Sequence, residues 1–292
     1  MLEIRIGGII ANMEDELLGK KEAALFLGLD SRAFDNYFRN AQEFPSLDRP
    51  KGNSRFRFRK SVLNEWQTEH KWRTVALDLD EYLLCLDFAL AMHFRGYVAS
   101  DWGTGRQREF GQKITNWIKG QLGEVAVKKF LEKNFGVKIQ LDFGIHPKIV
   151  PQDIIGIEEN GRIRNPGVNV AIKSSKPKSS YLVLSPSEVS RPERRSDIYI
   201  FCRVDIPDDH LLRLTRRTII KAVGDKQHFS LYRDEIPSFS ELSCEIAGFC
   251  PIDELEERMS IPGQDFDGPR FVRQSGLLRR SKKEWDQLVK RL

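Results

Sequence analysis

Cysteine and histidine are scarce in this 292-residue chain, and neither occurs at a spacing typical of metal ligands. The four cysteines, Cys85, Cys202, Cys244 and Cys250, include no C-x-x-C pair, and the five histidines form no H-x-H or H-x-x-x-H pair. These absences argue against a zinc ribbon and against a zinc hydrolase. Because scattered cysteines without pair motifs are typical of a reducing compartment, we expect a cytoplasmic protein.

Long apolar runs and nucleotide-binding loops are missing as well. No stretch approaches the roughly 18 apolar residues of a membrane span, and the first residues lack the pattern of a secretory signal. The chain also contains no G-x-x-x-x-G-K-[S/T] loop and no G-x-S-x-G elbow. We therefore expect no membrane partner and no nucleotide cofactor.

The positive charge is concentrated in two segments. Basic residues number 47 and acidic residues 42, which gives a net charge of +5. Residues 51–60 contain five basic side chains and no acidic one, and residues 270–291 contain eight basic and two acidic side chains. Such clusters indicate a polyanionic partner more strongly than the modest net charge does.

The length and composition predict a globular protein of two domains. Hydrophobic residues make up 40% of the chain and charged residues 30%, which excludes a collagenous or largely disordered chain. We place the boundary near Trp72, because a long helical stretch is expected from about residue 75. The predicted domains are residues 1–72 and residues 73–292.

The first domain reads as short helices followed by a basic strand. Residues 20–29 form an amphipathic pattern that Gly28 can end in a left-handed conformation, and residues 32–40 predict a second helix. Residues 53–59 alternate aromatic and basic side chains, as in a strand that turns its basic face toward phosphates. Residues 61–70 predict a closing helix.

This order, "KKEAALFLGL", "DSRAFDNYF" and "GNSRFRFRKSVLNEW", resembles the winged helix-turn-helix of the MerR and excisionase families. The resemblance implies binding to double-stranded DNA, with base contacts from Ser31, Arg32, Asn36 and Arg39 and backbone contacts from Arg55 and Arg57. The alternative is a small protein-interaction domain with a solvated basic hairpin.

The second domain contains a carboxylate and a lysine on neighbouring predicted strands. Residues 118–134 predict a helix with Glu124 near the edge of its apolar stripe, and residues 137–143 predict a strand. Asp153 stands at the head of an apolar strand over residues 150–157, which Asn160-Gly161 should close as a type I′ hairpin. The next strand, residues 168–176, places Asn169, Ala171 and Lys173 on one face.

This succession of helix, strands, hairpin and x-Ile-Lys strand resembles the PD-(D/E)xK nuclease superfamily, whose α/β fold is a mixed sheet flanked by helices. The resemblance implies that Asp153 is the metal-binding aspartate, Lys173 the catalytic lysine and Glu124 a helix glutamate of the active site. It also implies Mg²⁺ as the cofactor, bound by Asp153 and Glu124, in keeping with the preference of Mg²⁺ for oxygen ligands. The segments "RSDIYIF" and "IAGFCPIDELEERMSIPGQ" resemble type II restriction enzymes.

One position departs from the superfamily pattern, because Ala171 occupies the acidic position of the (D/E)-x-K element and a methyl group cannot bind a metal. Either Glu124 supplies the missing ligand, or the site binds metal weakly, or the nuclease has decayed. We expect Glu124 to supply it.

The sequence therefore predicts a winged helix-turn-helix joined to a restriction-endonuclease-like α/β domain. The expected function is Mg²⁺-dependent, sequence-specific cleavage of double-stranded DNA by a type II restriction enzyme, and cutting both strands suggests a homodimer. Two alternatives stay open. One is a DNA-binding regulator or excisionase-like factor with a degenerate nuclease core, and the other is a structure-selective or modification-dependent nuclease.

Overall fold

The computed structural model describes residues 15–29, 34, 57–94, 109–145, 152–224 and 233–292. It is a mixed α/β protein, as expected for the fold class. The chain divides into two compact units, Met1–Trp72 and Arg73–Leu292. Within the described ranges, no helix has the length and apolar character needed to cross a membrane.

The first unit contains two short strands and two helices in its described part. In chain order these are β1 (Leu17–Leu18), α1 (Lys20–Leu27), β2 (Phe58–Arg59) and α2 (Lys60–Trp72). Strands β1 and β2 pair antiparallel. Gly28 ends α1 with a φ of 66°, so the predicted left-handed end of this helix is confirmed.

A small apolar core holds the first unit together. Phe34 and Phe58 are fully buried and meet edge to face, with their ring centroids 5.6 Å apart. Arg57 and Arg59 are exposed on either side of Phe58, which confirms the predicted alternation over these three residues. Trp66, on α2, packs against the same core.

The second unit holds most of the regular structure. Its helices are α3 (Leu79–Phe94), α4 (Phe110–Phe135), α5 (Pro186–Ser190), α6 (His210–Ala222) and α7 (Lys282–Val289). Its strands are β3 (Thr74–Leu77), β4 (Lys138–Leu141), β5 (Ile154–Glu159), β6 (Arg162–Arg164), β7 (Val170–Ser175), β8 (Tyr181–Leu184), β9 (Ile198–Asp205), β10 (Leu242–Pro251), β11 (Glu256–Ile261) and β12 (Gln264–Gln274).

The central sheet has the strand order β3-β10-β9-β7. Strand β10 runs antiparallel to β3 and β9, whereas β7 runs parallel to β9. Two three-stranded sheets accompany it, with the orders β4-β5-β6 and β11-β12-β8. The central sheet is therefore mixed, and β9 is buried along nearly its whole length.

The expectation of a helix from about residue 75 is wrong for residues 74–77, which form strand β3. Val75 and Leu77 are buried, whereas Ala76 between them is exposed. This period of two matches a strand with one buried face, and β3 pairs with β10 over these residues. The helix begins only at Leu79.

Helix α4 is continuously buried over residues 121–127 and packs against β7, β9 and β10. It lies close to the sheet at Gly123, where an added methyl group would collide with Oγ of Ser174 on β7. The Sγ atom of Cys202 on β9 lies 3.8 Å from the Gly123 carbonyl oxygen. Because Glu124 follows Gly123, this close packing holds its backbone near the sheet.

The hairpin between β5 and β6 has the predicted geometry. Asn160 and Gly161 both have positive φ values, 52° and 74°, as a type I′ turn requires. The two flanking strands pair antiparallel. Asp153 immediately precedes β5, so the expectation of an aspartate at the head of this strand is confirmed.

Candidate active site

Asp153 lies against the edge of β7, the strand that carries Lys173. Its backbone N–H donates to the carbonyl oxygen of Val170 at 3.2 Å. Its carboxylate Oδ2 accepts a hydrogen bond from the backbone N–H of Ile172 at 2.5 Å. Since both bonds join Asp153 to β7, its carboxylate is held beside Lys173.

Lys173 forms an ion pair with Glu188, a residue of α5. The Nζ atom of Lys173 lies 2.8 Å from Oε1 of Glu188, and 34% and 25% of the two side chains, respectively, remain exposed to solvent. The other carboxylate oxygen of Glu188, Oε2, accepts hydrogen bonds from the backbone N–H and the hydroxyl of Ser185, both at 2.9 Å. Glu188 therefore caps the start of α5 and contacts Lys173 at the same time.

Tyr199 ties α5 to the central sheet. Its side chain is fully buried on β9, next to Ala171 in the parallel pairing of β7 with β9. The Tyr199 hydroxyl donates to the backbone carbonyl of Glu188 at 2.8 Å. A five-residue helix has little stability of its own, so tertiary contacts of this kind determine where Glu188 lies.

Glu124 approaches the same place from α4. It is 7% exposed, and its Oε1 accepts a hydrogen bond from Nε2 of Gln121 at 3.0 Å. The charges of Asp153, Lys173 and Asp142 all act on its carboxyl group. Asp142 directly follows β4, which pairs with β5, and its charge raises the pKa of both Glu124 and Asp153.

Burial and neighbouring charges raise the pKa values of both Glu124 and Asp153. Burial raises the pKa of Glu124 well above its usual range, and the charge of Asp153 adds to the effect, while Lys173 opposes it. Burial also raises the pKa of Asp153, and Lys173 and the Ile172 N–H only partly offset this rise. Both carboxylates would therefore be stabilised by an additional cation.

The pKa values of Lys173 and Glu188 move apart, which stabilises both as ions. Burial by itself lowers the pKa of Lys173, but the charges of Glu188 and Asp153 outweigh burial, so the pKa is raised. Burial by itself raises the pKa of Glu188, but Lys173 and the hydrogen bonds from Ser185 outweigh it, so the pKa is lowered. Lys173 and Glu188 are accordingly a charged pair at neutral pH.

Glu124, Asp153 and Lys173, which the sequence singled out, thus come together from three separate elements. Ala171 instead packs in an apolar cluster with Tyr199 and Phe201, where no ligand role is open to it. Sequence reasoning missed Glu188. Its one local signal, the spacing Ser185-x-x-Glu188, predicts the start of a helix and says nothing about Lys173.

The donor atoms at the site fit Mg²⁺. In the described part of the chain, no group of three or more His, Cys, Asp or Glu side chains is arranged to hold a metal ion. Glu124 and Asp153 nevertheless offer carboxylate oxygens, and the buried Oε1 of Gln121 has no hydrogen-bond partner among the described residues. Oxygen donors and excess negative charge suit a hard divalent cation, which Glu124 and Asp153 would hold.

Five of the six predicted DNA-contacting residues lie outside the residues that the structure describes. Outside the described residues lie Ser31, Arg32, Asn36, Arg39 and Arg55, as does Pro151 of the Pro151-Gln152-Asp153 element. Arg57 is described, and its side chain is exposed immediately before β2.

Comparisons of the chain with protein-family models, with curated proteins and with solved structures gave no match. A functional proposal for this chain therefore depends on the chemistry of its own residues.

Proposed function

We propose that this protein is a Mg²⁺-dependent deoxyribonuclease that hydrolyses phosphodiester bonds of double-stranded DNA. The observation that carries the proposal is the convergence of Glu124, Asp153 and Lys173 beside the edge of β7, with the Asp153 carboxylate bonded to the Ile172 N–H at 2.5 Å. Two carboxylates and a lysine in mutual electrostatic contact are the groups that metal-assisted hydrolysis of a phosphodiester needs.

Each residue has a role that follows from its contacts. Asp153 uses Oδ2 for the Ile172 N–H, which leaves Oδ1 for the cation, and Glu124 offers its carboxylate from α4. Mg²⁺ held by Asp153 and Glu124 would supply Lewis-acid chemistry for the phosphate and for the attacking water. The ammonium of Lys173 donates hydrogen bonds to the attacking water and offsets the negative charge that develops on the phosphate.

Glu188 gives Lys173 a carboxylate partner that Ala171 cannot provide. The acidic position two residues before the lysine holds a methyl group, yet Lys173 still has a carboxylate partner at 2.8 Å, supplied by α5. In the proposed mechanism Glu188 holds the ammonium of Lys173 toward the site. The expectation that Glu124 supplies the missing metal ligand stays part of the proposal, in which Glu124 faces the cation and Glu188 faces Lys173.

The finer proposal is a type II restriction enzyme. In it, Arg73–Leu292 has a restriction-endonuclease-like mixed sheet flanked by helices, and Met1–Trp72 has a winged helix-turn-helix that grips the duplex. The mixed sheet β3-β10-β9-β7 with α4 on it, and the exposed Arg57 next to buried Phe58, support these assignments. Two identical sites related by a two-fold axis would cut both strands, so we propose a homodimer.

A DNA-binding regulator with a degenerate nuclease core is the second candidate. The observation that favours it is the ion pair of Lys173 with Glu188, which occupies the lysine, together with Ala171 at the acidic position. Under this alternative the first unit would still bind DNA, but no cleavage would follow.

Incubation of supercoiled plasmid with the full chain, in Mg²⁺ and in EDTA, separates these candidates. We expect linear or nicked products in Mg²⁺ only, and a rate at least about 100-fold lower for Asp153→Asn and Lys173→Ala. Asp286→Asn, an equivalent change at an exposed position on α7, should cut like the wild type. Plasmid binding without cleavage by the wild type would instead favour the regulator.

The products from phage DNA test the finer proposal. A sequence-specific enzyme yields a defined set of fragments from unmethylated linear DNA. Cleavage confined to branched or methylated substrates would contradict the restriction-enzyme proposal and favour a structure-selective or modification-dependent nuclease.

A further inference from the structure

One buried polar atom beside Glu124 has no partner within the described ranges of the chain. Gln121 is 7% exposed, and its Nε2 donates to Oε1 of Glu124 at 3.0 Å. Its amide oxygen, Oε1, is buried and accepts no hydrogen bond from any described residue. Buried amide oxygens are almost always paired, so an unpaired one in this position indicates a missing donor or cation.

Negative charge is also in excess around the amide of Gln121. The described groups that act on Glu124 and Asp153 are the carboxylates of Asp142 and Glu188 and the ammonium of Lys173. Four carboxylates therefore share one ammonium, and that ammonium lies 2.8 Å from Glu188. A divalent cation at Glu124 and Asp153 would reduce this excess of negative charge.

We propose that Gln121 is a metal ligand, whose Oε1 binds the same divalent cation as the carboxylates of Glu124 and Asp153. This inference rests on the proposed function, since it assigns a further residue to the metal site of that function. It also explains why a site with only two acidic ligands can hold a metal, because an amide oxygen is a good ligand for hard cations.

The position of Gln121 on α4 favours this role. Residues three apart on a helix lie on the same face, so Gln121 and Glu124 point to the same side of α4. The bond from Nε2 to Glu124 orients the amide and leaves Oε1 without a competing donor among the described residues. A ligand set of carboxylate and amide oxygens selects Mg²⁺, Mn²⁺ or Ca²⁺ over softer metals such as Cu²⁺.

Titration of the metal-free full chain with Mn²⁺, followed by electron paramagnetic resonance, tests the proposal without any cleavage assay. Gln121→Met removes the oxygen while keeping a side chain of similar length, and we expect it to lower Mn²⁺ affinity about tenfold. Gln121→Glu restores an oxygen at the same position and should bind Mn²⁺ at least as tightly as the wild type. Gln112→Met, an exposed position on the same helix, should leave Mn²⁺ affinity unchanged.

Thermal unfolding of the metal-free variants distinguishes a ligand from a structural residue. Gln121→Met removes the Nε2 donor to Glu124 as well as the unpaired oxygen, so its melting temperature without metal should fall modestly while the protein stays folded. A Gln121→Met protein with wild-type Mn²⁺ affinity overturns the proposal. So does a Gln121→Glu protein that binds Mn²⁺ as weakly as Gln121→Met.

Failure of this inference and failure of the proposed function give different results. A wild type that binds Mn²⁺ through Gln121 but never cuts DNA refutes the nuclease and leaves the ligand assignment intact. A wild type that cuts DNA in Mg²⁺, with unchanged Mn²⁺ affinity in Gln121→Met, refutes the ligand assignment alone. A wild type that binds no Mn²⁺ overturns the assignment of Gln121.

Discussion

The Nζ atom of Lys173 lies 2.8 Å from Oε1 of Glu188, the residue whose other carboxylate oxygen caps the start of α5. The carboxylate of Glu188 thus both pairs with the proposed catalytic lysine and stabilises the start of α5. Glu188→Gln separates these two tasks, because glutamine can also serve in a capping box but carries no charge.

We expect Glu188→Gln to lower the rate of plasmid cleavage by about 100-fold while α5 stays folded. The measurement is single-turnover cleavage together with the melting temperature. Glu193→Gln, an exposed change a few residues away, is the matched control. Cleavage by Glu188→Gln at the wild-type rate would show that Lys173 does not need this carboxylate.

Glu124→Gln should stabilise the metal-free protein in a pH-dependent way. Burial raises the pKa of Glu124, so its ionised form is less favourable in the folded chain than in the unfolded chain. The stability that this group contributes is full below its unfolded pKa of about 4.3 and is lost as pH rises through the folded pKa. The variant should therefore melt above the wild type at alkaline pH, with no difference at about pH 4.

Melting temperatures in EDTA across this pH range check the prediction. Mg²⁺ should reduce the difference in melting temperature between Glu124→Gln and the wild type at alkaline pH, because it binds the folded wild type and stabilises it by mass action. Glu188→Gln gives the opposite control. The lowered pKa of Glu188 contributes stability above its unfolded pKa, so that variant should melt below the wild type at neutral pH and converge with it in acid.

Gly123→Ala should displace α4 from the sheet and carry Glu124 with it. The added methyl group would collide with Oγ of Ser174 and lie 3.2 Å from its Cβ. We expect a loss of about 1–3 kcal/mol in the free energy of unfolding and a marked loss of cleavage. Denaturant unfolding and the plasmid assay measure the two effects.

Two further variants make the test of Gly123 specific. Ser174→Gly removes the two atoms closest to the added methyl group, so Gly123→Ala combined with Ser174→Gly should recover part of the cleavage. Gly120→Ala adds a methyl group with nothing within 4 Å, and it should stabilise α4 by up to about 1 kcal/mol. Equal losses in Gly120→Ala and Gly123→Ala would contradict the close-packing argument.

The basic strand of the first unit should contribute to the salt dependence of DNA binding. If Arg55 and Arg57 each neutralise one phosphate, changing both to alanine should reduce the slope of log affinity against log salt by about 1.8. Fluorescence anisotropy with a labelled duplex at several salt concentrations measures the slope. Lys128→Ala with Lys133→Ala removes the same charge at exposed positions on α4, outside both basic segments, and should leave the slope unchanged. An unchanged slope in the arginine variant would count against backbone contacts.

Local sequence patterns predicted the features that depend on a few adjacent residues. Gly28 ends α1 and Asn160-Gly161 closes a hairpin, because the backbone geometry of both turns is set by neighbours in the chain. Asp153 heads β5, where a run of apolar residues begins. Strand β3 could not be predicted in this way. Its four residues pair with β10, which lies more than 150 residues further along the chain.

Residue type and spacing alone determined which side chains could do the chemistry, because a carboxyl group and an amine keep their functional groups and their length in any fold. The tertiary structure decided how these groups combine. Tyr199 on β9 holds the Glu188 carbonyl, α5 brings that carboxylate to Lys173, and Gly123 lets α4 bring Glu124 close to β7. These contacts join segments that are distant in sequence, so they arise only when the helices pack on the sheet.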